Sequence, residues 1–165
     1  MTEARTSILA ALRENRPKGE ADLVLEDIAI QYEDPFVSFS AMMKKNGGLV
    51  VAMDSADSAV ADFANRCGPD GVLLEGELAV AENAAIWIPF RDEAERARPF
   101  LAETLAVIVR RADIVSNMAQ AYARIGTGEL PGYGVFMAGP SKTADIAQCL
   151  VIGAHGPIEF VTYLV

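Results

Sequence analysis

The sequence predicts an α/β layered domain with a largely parallel sheet, and three observations carry that prediction. Short apolar runs recur along the chain at Leu49 to Met53, Val72 to Leu74, Leu105 to Val109 and Phe160 to Val165, each of strand length. The segments between several of them open on helix-capping residues and carry apolar positions at helical spacing. The runs are near-continuous in apolar character, as strands covered on both faces by helices are.

The totals narrow the classes. At 165 residues the chain has the length of one domain, and 52% hydrophobic content sets disorder aside. No apolar run approaches the ~18 residues that suggest a membrane span, and the patch Ile8 to Leu12 runs directly into Arg13 and Glu14, so the expectation is a cytoplasmic protein without membrane association. Fourteen basic against 23 acidic residues give a net charge of −9, and the pairs Lys44-Lys45 and Arg110-Arg111 form no basic stripe, which disfavours nucleic acid. Cys67 and Cys149 lie far apart, and His155 is the one histidine. That set cannot build a Cys/His metal site or hold an iron–sulfur cluster, so no metal and no cofactor are expected, and both thiols are read as buried and reduced.

In chain order, residues 1–33 read as an N-terminal helix (Thr2 to Asn15, stopped before Pro17) followed by an extended connection, and 34–165 as a single domain. Asp34-Pro35 opens a helix with Phe36, Phe39 and Met43 on one face, and Asn46-Gly47-Gly48 closes it. After the first strand, Asp54-Ser55 caps a helix with Val60, Phe63 and Cys67 along one side. Glu77 to Phe90 reads as two strands meeting at a polar bend, Glu82-Asn83. Arg91 to Ala102 is helical in flavour, limited by Pro99. Beyond Leu105 to Val109, Asp113 starts a helix with Ile114, Met118, Tyr122 and Ile125 on its stripe, stopped by Gly126-Thr127-Gly128.

The segment Gly134 to Gly156 carries the densest chemistry: an apolar strand ends at Gly139-Pro140, Ser141-Lys142-Thr143 opens a helical pattern, and the strand Cys149 to Ile152 follows. Named nucleotide loops fail here, because Pro140 stands where a Walker lysine belongs and Gly126-Thr127-Gly128 follows a helix instead of a strand. A helix start bearing Ser141, Lys142 and Thr143, with Asp145 close behind, is suited to hold a small anion on backbone N–H groups, hydroxyls and one ammonium. The competing reading makes Ser141 and Thr143 plain caps and Lys142 a solvated charge. His155 is the side chain suited to proton transfer near neutrality, on a loop with Gly156; a triad with Ser141 and Asp145 lacks a nucleophile elbow. Glu82 and Asn83 interrupt two apolar strands, where sheets of this class place site carboxylates, or else form a surface bend.

These residues carry a family resemblance. Ala138 to Pro157, AGPSKTADIAQCLVIGAHGP, resembles the C-terminal signature of the LUD-domain family, the lactate-utilisation protein C-like proteins, and Val80 to Ile88, VAENAAIWI, resembles that family's block before an apolar strand. The likeness runs from about Asp34 onward. It implies a three-layer α/β/α sandwich like that of the sugar-phosphate isomerase and CoA-transferase superfamily, and association with the bacterial system that oxidises L-lactate, whose partner subunits carry iron–sulfur clusters. The chain departs from the family pattern at Ala84, where a glycine is expected, and at Ile158, where many members have arginine. Ala81 to Ala84 is also similar to the block bearing the nucleophilic glutamate of CoA-transferases.

Three functions follow as expectations. The first is a non-redox accessory or ligand-binding subunit of an organic-acid (L-lactate) utilisation system, holding a small anion between Glu82-Asn83 and Gly139, Ser141, Lys142, Thr143, Asp145 and Gly156, beside iron–sulfur lactate-oxidation subunits. The second is an enzyme acting on a CoA ester or sugar phosphate, with Glu82 as nucleophile or base and His155 in attendance. The third is a scaffold or homodimerisation module.

Overall fold

The computed structural model describes residues 3–16, 29–67, 70–126, 131–145 and 148–165. Helix α1, Glu3–Glu14, buries none of its side chains. Most of the extended connection expected after it lies outside the described residues. Helix α2, Pro35–Lys45, forms as its sequence dictates: Asp34 accepts the Val37 N–H at the N-cap and proline takes the first turn. Phe39 and Met43 face the core, and Gly47 at φ +85° ends the helix.

Strand β1, Leu49–Ala52, leads through the Ser55 cap into helix α3, Ala56–Arg66. Of the expected stripe, Phe63 packs on the core and Cys67 is buried, but Val60 is 49% exposed and fully buried Ala59 takes its place. A small residue at 59 lets the helix approach the sheet closely. Strands β2 (Val72–Glu75), β3 (Leu78–Val80) and β4 (Ile86–Phe90) follow, with β3 and β4 antiparallel about the polar turn that the sequence predicts. A 3-10 turn, Ala94–Ala97, and the short helix α4, Arg98–Leu101, occupy the charged segment. Pro99 sits in the first turn of α4 and so begins that helix rather than limiting it.

Strand β5, Thr104–Val109, is buried from Leu105 onward. Asp113 does not start a helix. It closes a 3-10 turn before the two-residue strand β6, Ile114–Val115, and helix α5, Met118–Ile125, is capped by Asn117 instead. Tyr122, expected on the core stripe, is 63% exposed, although its ring meets Phe136 edge-on. Strands β7 (Tyr133–Met137), β8 (Lys142–Thr143), β9 (Val151–Ile152) and β10 (Glu159–Leu164) complete the described elements.

Strands β1, β10, β5 and β2, in that order, make a wholly parallel sheet. Its central pair, β10 and β5, consists of two of the near-continuous apolar runs, as burial on both faces requires. A second sheet runs β6, β3, β4, β7, and β8 pairs with β9 in a small antiparallel ladder. Helix α3 covers one face of the parallel sheet through Ala59 and Phe63 against Ala106, Ile108, Val161 and Tyr163. The other face packs with α2 against the second sheet around Phe39, Leu105, Val107, Ile86 and Phe160. Helix α5 covers the far side of that second sheet through Ala121 on Leu78 and Val80. Helices therefore lie outside on both sides, and the β layer between them is a pair of packed sheets. No helix among the described residues is long and apolar enough to cross a membrane.

The cysteines divide. Cys67 is buried and its thiol is pushed above the ordinary range by desolvation, while Cys149, expected to be buried, is exposed on the β8–β9 connection; neither is in a disulfide.

Candidate functional site

The polar turn between β3 and β4 is built by its own side chains. The Asn83 carboxamide oxygen accepts the Ala85 N–H at 2.9 Å, an Asx turn, while the Val80 N–H closes the hairpin on the Ala85 carbonyl at 2.8 Å. Ala84, fully buried, takes φ +59°, the left-handed region that favours glycine, the residue expected here from the sequence resemblance. The turn lies against the start of α5. Glu82 donates its backbone N–H to the Ser116 carbonyl, and its Oε1 accepts the Met118 N–H at 2.8 Å. The Glu82 carboxylate is thus placed at the positive end of a helix, satisfying one of its free N–H groups. Neighbouring polar groups fix the same corner: Asn117 accepts from Gln120 N–H and donates to the Ile30 carbonyl, and Ser116 Oγ accepts the Tyr32 N–H.

The glycine-proline segment after β7 departs from its expected form. Ser141-Lys142-Thr143 does not open a helix; Lys142 and Thr143 pair antiparallel with Ile152 and Val151. The β-branched pair Val151-Ile152 and Thr143 favour that ladder. Its tie to the following loop is close: Ser141 donates its N–H to the Pro157 carbonyl and accepts from the Gly153 N–H. A Cβ on Gly156 would stand 3.1 Å from the Ser141 Cβ, a tight approach that, with its φ of +152°, favours glycine where the two loops meet. The helix-dipole argument for an anion therefore falls away at Ser141. What this loop presents is the exposed Lys142 ammonium and the Thr143 hydroxyl, which accepts the Asp145 N–H at 3.4 Å.

Asn46, read in the sequence only as a helix terminator, joins the two motifs. Its Nδ2 donates to the Asn83 carbonyl and to the Ala138 carbonyl, both at 3.0 Å. Its own carbonyl accepts from Lys142 Nζ. Gly139, at φ +114°, lies so near that an added Cβ would come within 3.3 Å of the Asn46 carbonyl oxygen. The Ala81 to Ala84 turn, the end of α2 and the Gly139 to Thr143 loop thus meet at one carboxamide. Asn83, Gly139 and Lys142 are brought together directly, with Ser141 and Thr143 on the same loop and Gly156 against Ser141. Asp145 and His155 are exposed, and among the described residues neither side chain bonds to Ser141. The Glu82 carboxylate is engaged by α5. A groove of about 290 Å³ lined by Tyr32, Ser38, Met42, Lys45 and Ala81 runs beside the turn.

Comparison with known proteins agrees with the motifs. The LUD domain family model matches residues 70–165. A protein of Geobacillus kaustophilus named "Lactate utilization protein C" is 36% identical over 88 residues, which are 50% of this chain and 37% of that protein. One of the same name from Anoxybacillus flavithermus is 33% identical over 89 residues, 54% of this chain and 40% of the relative. The matched stretch is thus well under half the length of these relatives. Among solved structures, a DUF162 family protein from Deinococcus radiodurans superimposes with a TM-score of 0.60 over 82% of this chain and 99% of its own, at 15% identity, a likeness of fold. The family model spans more than half of the sequence, from before β2 to the end of β10, and takes in both motif loops; this chain belongs to the LUD domain family.

Proposed function

We propose that this chain is a non-redox, ligand-binding component of a bacterial L-lactate utilisation system, and that it holds a small anion beside Lys142 where the Asn83 turn and the Gly139 to Thr143 loop meet. The observation that carries the reading is the Asn46 carboxamide, which ties the two family motifs to one point with a lysine ammonium next to it. Lys142 supplies the charge, the Thr143 hydroxyl and the left-handed Gly139 backbone shape the approach, and Asn83 sets the opposite rim. The kinship with proteins named for lactate utilisation supports the system, with iron–sulfur subunits as the partners that would handle electrons. Glu82 serves in this reading as the support for α5 rather than as a nucleophile, since its carboxylate already accepts a helix N–H.

Isothermal titration calorimetry with L-lactate, pyruvate, acetate and inorganic phosphate tests the site. Removing the one lysine charge in Lys142→Ala should weaken the bound anion by about tenfold or more, the usual worth of a charge-assisted contact. Unchanged affinity in that variant, or lactate oxidation by the isolated chain with an artificial electron acceptor, contradicts the proposal.

A further inference from the structure

A second cavity, of about 620 Å³, opens where β2, β5 and β10 of the parallel sheet reach their C-terminal ends, the end at which open α/β sheets hold ligands. Its polar lining includes Arg110, Asp113, Arg124, Glu75 and Glu77, none of them in the motif loops. Asp113 is only 4% exposed, and each of its oxygens is taken by a different arginine: Oδ2 accepts from Arg110 Nε at 2.6 Å and Oδ1 from Arg124 Nη2. Each arginine spends one N–H in this way. The rest of each guanidinium fork is unspent, since Arg110 and Arg124 make no other side-chain bond among the described residues, and both line the cavity. A buried carboxylate that binds two guanidinium groups fixes them beside each other with one net positive charge, a construction suited to a single carboxylate.

The remaining charges restrict what else the ligand carries. Glu75, at the end of β2, is exposed, with no side-chain partner among the described residues, and Glu77 lies 4.0 Å from Arg91. Ionised carboxylates only accept hydrogen bonds, and with these two the five charged side chains of the lining sum to −1, which opposes a dianion and disfavours a monoanion that brings no donor of its own to the glutamates. We infer that this cavity is a binding site for a small carboxylate whose neighbouring carbon bears a hydrogen-bond donor, hydroxyl or ammonium, with the carboxylate on Arg110 and Arg124 and the donor toward Glu75 and Glu77.

The inference concerns residues separate from the Lys142 loop, so the test uses the Lys142→Ala chain, in which failure of the one reading leaves the other visible. Three-carbon probes differing at one position, L-alanine, L-lactate and propionate, together with inorganic phosphate, are titrated while the arginine side-chain Nε–Hε signals are followed by NMR. Saturable shifts of the Arg110 and Arg124 signals are expected with L-alanine and L-lactate. Propionate should bind at least about fivefold more weakly, for want of one hydrogen bond to a charged group, and phosphate should leave both signals in place. Arg110→Lys, which keeps a cation against the buried Asp113 carboxylate but loses the guanidinium fork, should weaken L-lactate about fivefold while the ligand-free amide spectrum keeps the dispersion of the parent's. Equal affinity for propionate and L-lactate, binding of phosphate in preference to either, or no shift of the arginine signals with any probe overturns the inference.

Discussion

Replacing Asn46 with alanine tests how the two motif loops are held. The carboxamide donates to the Asn83 and Ala138 carbonyls at 3.0 Å each, and alanine leaves both without that donor. The backbone of Asn46, φ −73° and ψ −5°, is open to alanine without strain, so the cost arises from the two carbonyls alone. A buried carbonyl that loses its partner costs about 1–3 kcal/mol, and the half-buried position of Asn46 lets water recover part of it, which leaves about 2–3 kcal/mol for the pair. In a domain of this size each kcal/mol moves the thermal midpoint by about 2–4 °C, so a fall of about 4–12 °C is expected by circular dichroism. Asn46→Asp, of the same shape but with acceptors in place of the donor, should lose at least as much at neutral pH. Thermal midpoints within about 2 °C of the parent for both variants would refute the view that one carboxamide binds the loops together.

Other sites give independent outcomes. Thr162 Oγ1, in the middle of β10 and fully buried, has no hydrogen-bond partner among the described residues; Thr162→Val, of the same shape, should raise stability by about 1 kcal/mol in urea titration. Ala84 holds a left-handed backbone that costs an L-residue about 1–2 kcal/mol, an amount that the buried methyl and the lower chain entropy of alanine offset. Ala84→Gly should therefore stay within about 0.5 kcal/mol of the parent, whereas Ala85→Gly, buried next door without a positive φ, should lose about 1–2 kcal/mol. Tyr163 is fully buried, with its hydroxyl donating to Asp62 at 2.7 Å, and burial followed by that bond pushes its pKa up to about 12. A raised folded pKa means that the folded chain holds the proton more tightly, so this contribution is complete below about pH 10 and is lost as pH rises toward 12. Tyr163→Phe should flatten the stability profile in that window; a profile as steep as the parent's contradicts the assignment.

Much of the architecture was legible because strong local signals agreed with the final packing. The Asp34-Pro35 helix opening, the Asn46-Gly47 close, the Ser55 cap and the continuous apolar strands β5 and β10 each stand where their sequence puts them. The signals that misled were those in which a short polar cluster admits two geometries. Ser141 to Thr143 has the composition of a helix start, yet β-branched Thr143 pairs with Val151 and Lys142 with Ile152, and the ladder wins. Asp113 resembles a helix cap, yet its carboxylate is held by Arg110 and Arg124, one of them in the next helix, a contact that no local pattern announces. The same limit hid Asn46, whose role depends on Asn83 and Ala138, 37 and 92 residues away in sequence. The glutamate of the polar turn was legible as a residue with a task, but only the packing of α5 shows that one task is to cap that helix. Two sheets packed face to face were likewise beyond periodicity, since β3 and β4 read as buried strands whichever layer they join.

The measurement that bears most directly on the proposed site is an NMR titration of the isotope-labelled chain with L-lactate, followed at the Asn46 side-chain amide and the Lys142, Thr143 and Asn83 backbone amides. The anion site at the junction predicts saturable shifts at these four residues that vanish in Lys142→Ala. Shifts confined to other parts of the molecule, or the same shifts persisting in Lys142→Ala, would contradict it.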